Sequence, residues 1–74
     1  MKRYIIITGN ERYQQVAVDM TQAVVAAFQR RAPRSPGLLT RARVMGKHPW
    51  MYIDTSLMLQ RAGYQLKTKG DAGA

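Results

Sequence analysis

Arginines alternate with large aromatics near the middle of this chain. Arg41, Arg43, Met45, Trp50 and Tyr52 recur at two-residue steps on either side of a turn, so a hairpin would place them all on one face. A guanidinium group neutralises phosphate, and a Trp or Tyr ring offers a flat surface on which a base stacks, worth about 1–3 kcal/mol per base. The single histidine, His48, lies beside Lys47 in a Gly46-Lys47-His48-Pro49 turn. Imidazole titrates near neutrality and suits the general acid–base of a small RNase. No second group joins it, however, and it is read as a turn residue.

The acids build no catalytic or metal constellation. Glu11 and Asp19 are eight residues apart, more than two turns on a helix, so they would not converge on one bond. Asp54 reads as a helix cap and Asp71 lies near the end of the chain. One His, four scattered acids and no cysteine leave no metal set, no disulfide and no thiol nucleophile. The turn Thr8-Gly9-Asn10 could bind phosphate at a helix N-terminus, but Glu11 beside it would repel an anion. No cofactor motif is present, and the expectation is a non-enzymatic protein.

Charge points to the class of partner. Twelve Lys and Arg face four acids, a net +8 on 74 residues, and no acid occurs between Asp19 and Asp54. Six of the bases are Arg30, Arg31, Arg34, Arg41, Arg43 and Lys47. Like charges at this density repel, so they usually mark a surface for a polyanion or an acidic partner.

A chain of this length is expected to form a single α+β domain over residues 1–69 with a disordered tail over 70–74. Such a domain buries only about 60% of its unfolded surface, which makes a homodimer a reasonable expectation. The apolar share, 46%, is ordinary for a folded protein. The apolar run after Lys2-Arg3 stops at Thr8-Gly9-Asn10, short of the roughly 7–15 residues of an export signal. The run from Val24 to Phe28 is far too short to cross a bilayer. No membrane association is expected, and a cytoplasmic location is.

These residues need elements to position them. Tyr4-Ile5-Ile6-Ile7-Thr8 reads as a central strand, being β-branched or aromatic throughout and apolar on both faces. Asn10 is a good N-cap, and Tyr13, Val16, Ala17, Met20, Val24, Ala27 and Phe28 recur at three- and four-residue steps. That spacing predicts one helix over about residues 11–31, stopped by Pro33. Pro33-Arg34-Ser35-Pro36-Gly37 reads as a stiff exposed linker. A hairpin of residues 40–45 and 50–53 follows, with Met45 opposite Trp50, Val44 opposite Met51, Arg43 opposite Tyr52 and Ala42 opposite Ile53. Asp54-Thr55-Ser56 caps a short helix ended by Gly63, and residues 64–68 read as a last strand.

The expected order is β-α-β-β-α-β, the ferredoxin-like or split βαβ arrangement, with a four-stranded antiparallel sheet. The alternative is a winged-helix-like protein whose wing is 40–53. In the first arrangement Tyr4 would join Tyr52 on the open face of the sheet. The layout resembles the RRM class of RNA-binding domains. Their basic-Gly-aromatic-Gly/Ala-Phe-Val-x-aromatic signature is not matched by Lys47-His48-Pro49-Trp50-Met51-Tyr52, so no membership is read.

Two functions are expected to compete. One is binding of RNA or single-stranded DNA through Arg30, Arg31, Arg34, Arg41, Arg43, Lys47, Trp50 and Tyr52. The other is a small phage- or plasmid-type module that inhibits or regulates an acidic host protein, using the same residues. Arg, Trp, Tyr and Met favour either.

Overall fold

The computed structural model describes residues 1–47 and 49–64. Its elements are β1 (Lys2–Thr8), β2 (Glu11–Ala17), α1 (Met20–Arg30), β3 (Leu39–Val44), β4 (Met51–Asp54) and α2 (Thr55–Arg61). The strands form one antiparallel sheet in the order β2-β1-β3-β4. The chain is thus two successive hairpin-plus-helix units, joined through the central pair β1 and β3.

This β-β-α-β-β-α order replaces the expected β-α-β-β-α-β, ferredoxin-like one, because residues 11–17 are a strand and not the start of a helix. Tyr13 and Ala17 are buried while Arg12, Gln14 and Val16 are exposed, the two-residue alternation of a half-buried strand. A spacing of four returns to the same face in a strand and also after one helical turn, so Tyr13 and Ala17 fit both patterns. The turn decides between them. Gly9 adopts φ 57° and Asn10 takes no positive φ, the sign pattern of a type II′ hairpin turn with Gly first. Thr8 then pairs with Glu11 across a two-residue loop.

The helix begins where its own cap stands. Asp19, not Asn10, is the N-cap, and its carboxylate accepts the Gln22 N–H at 2.8 Å. Ala23, Val24, Ala27 and Phe28 then face inward and are buried. The C-cap Arg31 is extended, two residues before Pro33. In the second unit Asp54 caps α2 through the Leu57 N–H at 3.1 Å, and Gly63 takes φ 100° just past its end.

Both helices cover one face of the sheet. The core joins Tyr4, Ile6, Tyr13, Ala17 and Ala42 from the strands with Ala23, Val24, Ala27 and Phe28 of α1 and Met58 and Leu59 of α2. Phe28 is wholly buried and meets Tyr13 edge to face, 5.7 Å between centroids. Burying such a ring contributes about 1.5–3 kcal/mol. Tyr4 belongs to this core at 4% exposure, so it does not join Tyr52 on the open face as the expected topology required.

The 40–53 segment is a hairpin, but its register differs from the expected one by two residues. Ala42 pairs with Met51 and Arg41 with Tyr52. A slip of one residue exchanges the faces and a slip of two restores them, so Ala42, Val44 and Ile53 face the core as expected and Arg41, Arg43 and Tyr52 the open side, while Met51, expected in the core-facing set, is 53% exposed. Lys47 N–H donates to the Val44 carbonyl at 2.9 Å and Gly46 has φ 83°, a type II turn that draws in residues counted as strand. Because β3 also pairs along β1, the hairpin is part of the sheet and not a free wing. Residues 65–68 of the expected last strand, and the 70–74 tail, lie outside the described residues; Tyr64 is not in a strand. No helix among the described residues is long and apolar enough to cross a membrane.

Candidate functional site

The sheet face without helices is built from alternate positions of each strand. The register aligns them in rows across the sheet: Arg12, Ile7, Arg41 and Tyr52 in one, and Gln14, Ile5 and Arg43 in the next. Arg3 and Val16 form a third. Ile5 is 5% exposed although no helix lies over it. Its register neighbours, Gln14 and Arg43, have long stems that can lie along apolar surface while the polar heads stay wet.

Trp50 organises the basic part of this face. The guanidinium carbons of Arg41 and Arg43 each lie 4.7 Å from its ring centroid. Each contact contributes about 0.5–1 kcal/mol if exposed and more if desolvated. Arg43 Nη1 also donates to the Lys47 carbonyl at 3.0 Å, so the turn and the strand hold one guanidinium between them. Its Nε–H is buried without an acceptor among the described residues. Tyr52 sits in the same row as Arg41 and is 63% exposed. Two guanidinium groups already lie on Trp50, whereas the Tyr52 ring is exposed on this face.

The expected site residues therefore divide. Arg41, Arg43, Lys47, Trp50 and Tyr52 come together on or beside the open face. Arg30 and Arg31 lie at the end of α1, where Arg30 Nη2 donates to the Gln14 carbonyl at 2.8 Å and Arg31 Nη2 to the Arg12 carbonyl at 3.3 Å. Arg34 is exposed in the segment between α1 and β3. Arg3 and Arg12 were not among the expected residues, yet their register positions put them on the basic face. The alternation Arg12, Gln14, Val16 was the signal for Arg12, once 11–17 is read as a strand.

The described acids serve the backbone. Asp19 and Asp54 cap helices, and Glu11 accepts the Ser35 N–H at 3.0 Å. Among the described residues no group of three His, Cys, Asp or Glu is placed to hold a metal. His48 lies outside the described residues. Tyr13 has a phenol pushed above its ordinary value by burial and, secondarily, by the Glu11 carboxylate, while Arg31 pulls the other way. It therefore stays protonated at neutral pH and donates to the Arg31 carbonyl at 3.0 Å.

No protein-family model, curated protein or solved structure shows significant similarity to this chain.

Proposed function

We propose that this chain is a small basic non-enzymatic nucleic-acid-binding protein that engages RNA or single-stranded DNA on the uncovered face of its sheet. The observation that carries this reading is the row Arg12–Ile7–Arg41–Tyr52, with Arg43 and Trp50 beside it: guanidinium groups at strand spacing, ending in an exposed aromatic ring. Arg41 and Arg43 would neutralise phosphates, Tyr52 would stack a base, and Trp50 would hold both guanidinium groups in place. Lys47 adds a point charge at the turn. Duplex would be disfavoured, since stacking on Tyr52 needs an unpaired base.

Fluorescence anisotropy with a short labelled single strand, titrated across salt, tests this. Log affinity should fall linearly with log salt, by about 0.7 per phosphate contact. Arg41→Ala should flatten the slope by about one contact. Tyr52→Ala should weaken binding by about 1–3 kcal/mol with the slope unchanged, because stacking releases no counterion. If Tyr52→Ala binds as tightly as the parent and all charge-removing variants lose affinity equally, the attraction is nonspecific.

The second reading, a phage- or plasmid-type module that inhibits or regulates an acidic host protein, would then take first place. It is favoured by the exposed apolar residues Leu38 and Leu39 at the start of β3, Met51 in β4 and Leu57 in α2. Nuclease treatment of a lysate before pull-down separates the two, abolishing capture under the first reading and sparing it under the second.

A further inference from the structure

Three arginines meet at the β2 edge of the sheet, at the opposite end of the row from Tyr52. Arg12, Arg30 and Arg31, with Tyr13 and Gln14, line a cleft of ≈ 450 Å³. No carboxylate is among its lining residues. The nearest acid in sequence, Glu11, has its carboxylate on the Ser35 N–H. Arg30 and Arg31 bring two guanidinium groups to β2 carbonyls two residues apart, with Arg12 alongside, and a bound anion would relieve the repulsion among these like charges.

Two of the three are held in place. Arg30 and Arg31 each give one nitrogen to a β2 carbonyl, and the Arg31 guanidinium carbon lies 4.6 Å from the Tyr13 ring centroid. Tyr13 is itself anchored through its hydroxyl to the Arg31 carbonyl. A carbonyl orients a guanidinium without neutralising it, and about four of the five N–H donors of each remain for a ligand. Pinned side chains also lose less rotamer freedom on binding. The C-terminus of α1 contributes about half a negative charge, well short of the two positive ones held here, and the Glu11 carboxylate, which also acts on Tyr13, is engaged by the Ser35 N–H.

We propose that this cleft binds a terminal phosphate group, on the end of a nucleic-acid strand or on a free phosphorylated small molecule. A terminal phosphate carries about −1.5 to −2 charge and three acceptor oxygens, which suits two held guanidinium groups flanked by a third arginine better than an internal diester with a single charge does. Arg12 links the two sites, because its register position belongs to the row that leads to Arg41 and Tyr52. Four strands span about 14 Å, so a strand lying along the row brings its end to the cleft. This last step rests on the single-strand reading; the cleft's own affinity for phosphate does not.

Two measurements separate the cases. In the first, pyrophosphate is titrated at constant ionic strength and followed by NMR at the arginine Nε–Hε and backbone signals. Saturable shifts confined to residues 12–14 and 30–31 are expected; shifts spread evenly over all basic residues, or none, overturn the proposal. In the second, one oligonucleotide carries a 5′-phosphate, a 3′-phosphate or hydroxyl ends only. A phosphate at one end should tighten binding about tenfold, as charge-assisted hydrogen bonds allow, and the gain should vanish in Arg12→Gln. That side chain donates no hydrogen bond within the described structure, so its loss should spare the fold, which a melting curve checks. Equal gains at both ends, or a gain that survives Arg12→Gln, mean a general field and overturn the strand-end form. Saturable pyrophosphate binding without any strand binding would leave the cleft standing as a site for free phosphates and remove the single-strand reading.

Discussion

Thr40 and Thr55 meet hydroxyl to hydroxyl at 2.7 Å in the interior, where they are 0% and 3% exposed. Each is the other's partner, so Thr40→Val leaves the Thr55 hydroxyl buried and unpaired, at a cost of about 1–3 kcal/mol. The double variant Thr40→Val with Thr55→Val should recover part of that loss in chemical denaturation. A double variant as unstable as the sum of the two singles would show that the hydroxyls do not depend on each other. Tyr13 carries a pH dependence of definite sign. Its folded-state pKa is raised, so the stability it contributes is present below the ordinary tyrosine value and falls as pH rises through the higher folded one. Tyr13→Phe should be less stable than the parent near neutrality by about 1 kcal/mol, the usual net worth of such a hydrogen bond. The gap should narrow above about pH 10. A gap that is the same on both sides of that value would contradict the assignment.

At the scale of elements, the β1–β2 hairpin and the segment after α1 stabilise each other. Gly37 N–H donates to Thr8 Oγ1 at 3.0 Å and Ser35 N–H to Glu11, so the Pro-rich segment is docked on the hairpin turn. Gly9 is the point of closest approach: a Cβ there would lie 1.9 Å from the Ser35 carbonyl oxygen, at φ +57°. Gly9→Ala should therefore destabilise by more than the roughly 1–2 kcal/mol cost of a left-handed alanine, because backbone has to move. Gly46→Ala, with nothing within 4 Å of its Cβ, should show the conformational cost alone. Equal melting temperatures for the two variants would mean that the segment does not press on the turn. The edge of β2 is managed in the same economical way. The Arg12, Gln14 and Val16 carbonyls accept from Arg31, Arg30 and Gln15 respectively, which blunts an edge that could otherwise pair with another chain.

At the scale of the whole molecule, the apolar core lies on one side of the sheet and Arg3, Arg12, Arg41 and Arg43 take register positions on the other, while Arg30, Arg31 and Arg61 lie at the helix ends. A net charge of +8 on 74 residues makes the compact state repel itself, and salt screens that repulsion, with a Debye length of about 8 Å at physiological ionic strength. The melting temperature should rise between low and physiological sodium chloride. A relief of about 1 kcal/mol corresponds to roughly 4–8 °C for a domain of this size. A melting temperature that falls or stays level with salt would mean that the charges lie too far apart to interact.

Read alone, the residues determine a good deal. The β-branched or aromatic run Tyr4–Thr8 reads as an interior strand, and the stripe from Met20 to Phe28 as a buried helix face. Asp54 and Gly63 bracket α2 by capping chemistry. Met51 aside, the partition of the 40–53 hairpin into an apolar and an Arg/aromatic face survives a register error of two, because side-chain alternation has period two. Residues 11–17 were ambiguous for a physical reason: Tyr13 and Ala17, four apart, share a face in a strand and in a helix alike. The stripe that begins at Tyr13 runs through two elements, since Gly9-Asn10 closes a hairpin turn and Asp19 caps the helix that follows. Tertiary pairing decided the rest. Only β1 lying beside β2 makes 11–17 a strand, puts Arg12 on the basic face, and sends Tyr4 into the core. Only α1 packing back against that strand brings Arg30 and Arg31 to Arg12, because a contact between residues about eighteen apart has no trace in local spacing.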